Sequence, residues 1–132
     1  MKDLYKNQRE IDKEYFAGLK ENTSLEYWGC ALGGETGELL NILKKMARNR
    51  HQYLSLYYYV TSYLSPFDCS EEEDQMKALD TKYEALKQQV SEEAADVMIY
   101  LLILSDVLEF DLKTVTLAKQ NKNKTREEIQ IK

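Results

Sequence analysis

The chain has 132 residues, enough for one domain with a core of its own and short for two. Hydrophobic residues make up 43% and charged residues 31%, an ordinary balance for a soluble protein, and a net charge of −5 argues against nonspecific attachment to a nucleic acid backbone. One proline and five glycines point away from a turn-rich β fold, while plentiful Leu, Glu, Lys, Ala and Gln favour helix.

Leu4, Ile11, Tyr15 and Leu19 fall at helical spacing, so a first helix is expected to fade near Glu21-Asn22. Thr23 or Ser24 is placed to cap the next, which runs from Leu25 to about Arg48. Its stripe is Leu25, Trp28, Leu32, Leu39, Ile42, Leu43 and Met46. The tyrosine-rich stretch HQYLSLYYYVTSYL suits strand by composition. Tyr53, Leu56, Tyr57, Val60, Tyr63 and Leu64 nevertheless keep a 3.6-residue period, and helix is the expectation.

Ser65-Pro66 breaks the pattern, and Ser70 with Glu73 has capping-box spacing at the head of a helix from about Glu71 to Gln89. Ser91 either caps a separate helix from Glu92 to Leu108 or lies within one long rod. That segment is apolar on most of its circumference, which marks a central or interface helix. Asp111 is placed to cap a last helix from Leu112 to about Lys122, and TREEIQIK beyond it reads as a mobile end. The sum is an all-α helical bundle in a single domain.

The two cysteines have no metal-ligand spacing and read as buried free thiols. The opening MKDLYKNQRE is charged, unlike a secretory signal, and the longest apolar run, VMIYLLIL, is too short for a bilayer. A cytoplasmic protein without a membrane partner is expected. Acids are missing between Lys113 and Arg126, which makes that segment a basic arm suited to a small anionic ligand.

Two glutamates interrupt the apolar stripe of the second helix. Taking Trp28 as the zero of a helical wheel, Glu35 falls at about 340°, inside the stripe, and Glu38 at about 280°, on its edge. Downstream, Glu93 and Asp96 repeat the i,i+3 spacing beside Val97, Tyr100 and Leu104. An unpartnered buried carboxylate costs several kcal/mol, so basic side chains, shared protons or divalent cations must offset the charge. Oxygen ligands without His or Cys suit Mg²⁺ or Mn²⁺ better than zinc, and the only histidine, His51, is not placed for a di-iron site. It reads as polar surface. Glu71, Glu72, Glu73 and Asp74 read as helix-start charges.

ALGGETGELLNILKK, SEEAADVMIYLLILSDVLEFDL and AKQNKNKTR together resemble the MazG-type all-α nucleoside triphosphate pyrophosphohydrolases. The match covers about residues 25–49 and 86–126 and makes residues 50–85 a helical insertion longer than is usual in that family. Glu109-Phe110 stands where the family commonly has a glycine. The resemblance implies a bundle that assembles as homodimers or dimers of dimers. It implies cleavage of a (d)NTP to the monophosphate and pyrophosphate, with Mg²⁺ on Glu35, Glu38, Glu93 and Asp96. It also implies phosphate or base contacts from Lys119, Lys122, Asn123 and Arg126. Lys45 is a further candidate for phosphate, and Trp28 for stacking on a base, against an ordinary core role. The tyrosines of 53–63 read as a subunit contact before a nucleoside pocket. The competing reading is a non-catalytic helical interaction dimer on the same bundle.

Overall fold

Apolar side chains recur every three to four residues along nearly the whole chain, and in the computed structural model of the protein they wind into helix throughout. The structure describes residues 1–15, 18 and 22–131, with the side chains of 15 and 127–131 outside the description. Among the described residues there are four helices and no strand: α1 (Lys2–Tyr15), α2 (Leu25–Tyr63), α3 (Ser70–Val107) and α4 (Leu112–Ile131). They form two compact units, residues 1–32 with 97–132, and residues 33–96.

Boundaries follow local chemistry. The expected end of the first helix falls partly on 16, 17 and 19–21, outside the described residues; α1 itself reaches Tyr15, and Gly18 turns the chain at φ 80°. Ser24 Oγ accepts the Tyr27 N–H (3.2 Å) and caps α2. The two helices expected on either side of Arg48 are one 39-residue rod, because no glycine or proline separates Arg48 from Tyr53. Likewise α3 is one rod, in which Ser91 Oγ donates to the Gln88 carbonyl (2.7 Å) and caps nothing.

The α3 cap sits one residue before the expected Ser70. The Cys69 carbonyl accepts the Glu73 N–H (2.9 Å), and the Cys69 thiol donates to Glu73 Oε1 (3.3 Å). That bond, with burial, pushes the thiol pKa up, so Cys69 is a poor nucleophile. Cys69 is buried as expected, but Cys30 is exposed. At the other end of α3, Phe110 N–H reaches the Ser105 carbonyl (2.9 Å) and Glu109 N–H the Asp106 carbonyl (3.4 Å). This is a Schellman closure, with Glu109 at φ 57° in the position glycine usually takes. Asp111 Oδ1 then accepts the Thr114 N–H (2.7 Å) and starts α4, which runs nine residues past the expected Lys122, through TREEIQI, on strong helix formers.

In the first unit Trp28, Leu102, Ile103 and Ser105 are buried. Tyr5 ties this unit together: its hydroxyl meets Ser105 Oγ (2.6 Å) and accepts the Leu112 N–H (3.0 Å), one of the orphan donors of a helix start.

The second unit is an antiparallel hairpin of α2 and α3. Leu39, Ile42, Met46, Asn49, Tyr53, Leu56 and Val60 face inward from α2, and Met76, Leu79, Tyr83, Leu86 and Val90 from α3. The alternation of three and four residues is that of a coiled-coil seam. Ile42 and Leu86 are its most buried apolar side chains, and buried Asn49 donates to the Leu79 carbonyl (3.1 Å). Contrary to the expected stripes, Leu25, Leu43, Tyr57 and Tyr63 are exposed. The seam is narrower than a 100° apolar face, so it turns Leu43, Tyr57 and Tyr63 out, while Leu25, at the start of α2, lies outside the hairpin.

Candidate functional site

Continue the hairpin seam toward residue 33 and its next inward places are Glu35 on α2 and Glu93 on α3, both half-buried. Hydrophobic periodicity thus carries two carboxylates into a packed interface. Glu38, three residues after Glu35, is exposed at the seam's edge. One carboxylate oxygen from each of Glu35, Glu38 and Glu93 lies within 4.8 Å of the other two. Asp96 is exposed and outside that triplet, yet its charge acts on both Glu35 and Glu93. The two i,i+3 acidic pairs read from the sequence therefore face one another in the fold.

The electrostatics show the strain of that arrangement. Loss of hydration raises the pKa of Glu35 above the ordinary carboxylate range, helped by the charges of Glu38 and Asp96. Glu93 is raised by the same loss of hydration, then by Glu38, Asp96 and Glu35, and by a hydrogen bond shared with Glu38. Among the described residues no lysine or arginine is paired with any of the four acids. Glu93 Oε2 is out of reach of solvent and has no hydrogen-bond partner among the described residues. Of the ways to offset such charge, basic partners are unused here. A shared proton or a cation is left, and the orphan oxygen with an all-oxygen donor set fits a hard divalent ion.

The remaining sequence candidates are placed as follows. Lys45 is exposed on α2. Lys119, Lys122, Asn123 and Arg126, spaced i, i+3, i+4 and i+7, share one face of α4, whose side chains from Lys113 to Arg126 are all exposed. Trp28 is 4% exposed, its ring set edge-on to Tyr27 (5.5 Å) and tilted against Tyr100 (6.3 Å). It is a core side chain, and no face of the ring is open for a base. Its indole N–H has no partner among the described residues.

Two features had no sequence signal. The Tyr5–Ser105–Leu112 contact joins residues a hundred positions apart. A groove of about 710 Å³ runs along the distal half of the hairpin, lined by Leu56, Tyr59, Ala78 and Leu79, with His51 exposed on its wall. It follows from the pitch of two rods meeting, which periodicity in either one alone does not reveal. No helix among the described residues is long and apolar enough to cross a membrane. Compared with known proteins, the chain matches no family model, no curated protein and no solved structure.

Proposed function

We propose that the chain is a Mg²⁺-dependent nucleoside triphosphate pyrophosphohydrolase of the MazG type, working as an assembly of two or more copies. The observation that carries this reading is the convergence of Glu35, Glu38 and Glu93, with Asp96 acting on Glu35 and Glu93, in a seam where no basic side chain among the described residues is paired with them. Hard oxygen donors of one sign suit a ligand that brings cations with it, as a triphosphate does.

In the reaction, water adds to the α-phosphorus of the (d)NTP and the bond to the bridging oxygen breaks, giving the (d)NMP and pyrophosphate. Mg²⁺, which Mn²⁺ could replace, supplies Lewis-acid polarisation and charge neutralisation. Glu35, Glu38, Glu93 and Asp96 would hold the ion. Glu38, more exposed than its neighbour Glu35, takes the proton from the attacking water. By the same resemblance, Lys119, Lys122, Asn123 and Arg126, which share one face of α4, are the candidate contacts to phosphate or base. Lys45 serves the same anion from α2.

The test is a panel of (d)NTPs with Mg²⁺, read by released pyrophosphate. Release should fall by roughly 10²–10⁴-fold in Glu38→Gln, as for loss of a general base, and should vanish in Glu35→Gln and Asp96→Asn with helicity kept. No release from any nucleotide would leave the second reading, a non-catalytic interaction protein. The exposed apolar side chains of α2 favour that alternative.

A further inference from the structure

Between Leu39 and Phe67 the sequence has no acid, although the chain holds 23 of them and a net charge of −5. Within that run the outer face of α2 alternates grease with base. With Leu54 as the zero of a helical wheel, Leu43, Ala47, Leu40 and Tyr58 fall within about 40° of it. Arg50 borders this apolar stripe at about 320°, and Lys44 and Arg48 border its other side at about 80° and 120°. Leu40, Leu43, Leu54 and Tyr58 are between 43% and 64% exposed, and the three bases are exposed as well. Among the described residues the acids of α3, in the same unit, pair with none of these bases. The Arg50 guanidinium lies instead over the Tyr53 ring, 5.2 Å from its centre.

We infer that this stripe docks an acidic amphipathic helix of a different protein. Leu40, Leu43, Ala47, Leu54 and Tyr58 keep the three-four spacing that a helix lying alongside would meet with apolar residues of its own. The stripe is about 27 Å long at 1.5 Å per residue, the length of five helical turns. Glutamates or aspartates on the flanks of such a helix would meet cations that have no acidic partner among the described residues. A second copy of this chain would bring the same bases to the contact, so charge selects another chain. An anionic membrane fits less well, because helices that lie in a bilayer surface present a broad apolar face, and this one is narrow on a chain of net charge −5. A nucleic acid strand fits less well again, because leucines along the centre of the stripe give phosphates nothing to bond. The inference uses none of Glu35, Glu38, Glu93 and Asp96, and it holds whether or not the proposed chemistry does.

Fluorescence anisotropy of the full chain with labelled synthetic helices tests it. The probe is a helix with leucines at three-four spacing flanked by glutamates, and its counterpart carries lysines in place of the glutamates. The acidic helix should bind about tenfold or more tighter than the basic one, and Lys44→Glu/Arg48→Glu should weaken it by a similar factor. Leu43→Ser/Leu54→Ser should weaken it about tenfold as well. Lys87→Glu, the same charge change on α3, should leave it unchanged. Equal affinity for the two helices overturns the inference, as do no binding of the acidic helix and binding that both double substitutions leave intact. Binding of phosphatidylserine vesicles or of an oligothymidylate in place of the acidic helix also overturns it. If a variant loses its helicity by circular dichroism, hydrogen exchange on the wild type decides: the acidic helix must protect residues 40–58, and protection confined to other segments overturns the inference. Hydrolysis is no part of these readouts, so its absence would count against the proposed chemistry alone.

Discussion

Glu35 and Glu93 stand opposite each other across the hairpin seam, in the register set by Ile42 with Leu86 and by Asn49 with Leu79. Each step along α2 is matched by an equal step back along α3: seven residues to the buried Ile42–Leu86 layer, and seven more to the hydrogen-bonded Asn49–Leu79 layer. The two glutamates thus occupy a core layer of a coiled coil, where leucines would pack best.

Acid should stabilise this fold in the absence of divalent ions. Glu35 and Glu93 have folded pKa values raised above the ordinary 4.5, so between 4.5 and those values the folded chain holds more protons than the unfolded one. Their contribution is full below 4.5 and is lost as pH rises through the folded values. With a chelator present, the melting temperature should fall as pH rises from 4.5, and Glu93→Gln should melt higher than wild type at pH 7 with a flatter profile. Asp111 and Glu26, whose pKa values are lowered, act with the opposite sign and in a separate window, below their ordinary 3.8 and 4.5.

Divalent cations should reverse that loss. At roughly a hundredfold excess over Kd, Mn²⁺ or Mg²⁺ should raise the wild-type melting temperature by roughly 5 °C or more through mass action. Glu35→Gln/Glu38→Gln should gain nothing. Equal gains in wild type and variant, by differential scanning fluorimetry, would remove the metal from the proposal.

Glu109→Gly should stabilise the chain. A non-glycine residue at φ 57° costs about 1–2 kcal/mol, and glycine occupies that region freely. The larger entropy of an unfolded glycine returns part of this, so a net gain of about 0.5–1 kcal/mol is expected in urea melts. A loss would mean that the Glu109 side chain has a stabilising role of its own.

Tyr5→Phe should destabilise by about 1–3 kcal/mol. It strips the Leu112 N–H of its acceptor at the start of α4 and leaves Ser105, fully buried, with only its bond to the Leu102 carbonyl. A Tyr5→Phe protein as stable as wild type in the same melts would show that water replaces the lost hydroxyl.

Much of this was legible because helix writes its period directly into the chain. Trp28, Ile42, Leu102 and Ile103 are core, and the places of Glu35 and Glu93 follow from the same count. What periodicity misses is which apolar face wins when a helix has two. Leu43 and Tyr57 fit a helical period as well as Ile42 and Val60 do, and only the partner rod decides that the first two face out. Continuity across Arg48 was hidden for a related reason, and across Ser91 the sequence left a cap and a single rod both open. A polar residue at a helix junction is also tolerated inside a rod if its side chain finds a bond, as Asn49 and Ser91 do. The Cys69 cap escaped because cysteine is rarely considered for that role.

The buried amide of Asn49 acts as a ruler for a place it never touches. Glu35 lies fourteen residues away, about 21 Å along the rod. Sliding α2 past α3 by one heptad would carry Glu35 about 10 Å from its counterpart. Any smaller slip takes the Asn49 amide off the Leu79 carbonyl and leaves a buried donor unmet, at a cost of about 1–3 kcal/mol. Partial slips of the hairpin are therefore disfavoured by a hydrogen bond, and the spacing of the carboxylates is inherited from it.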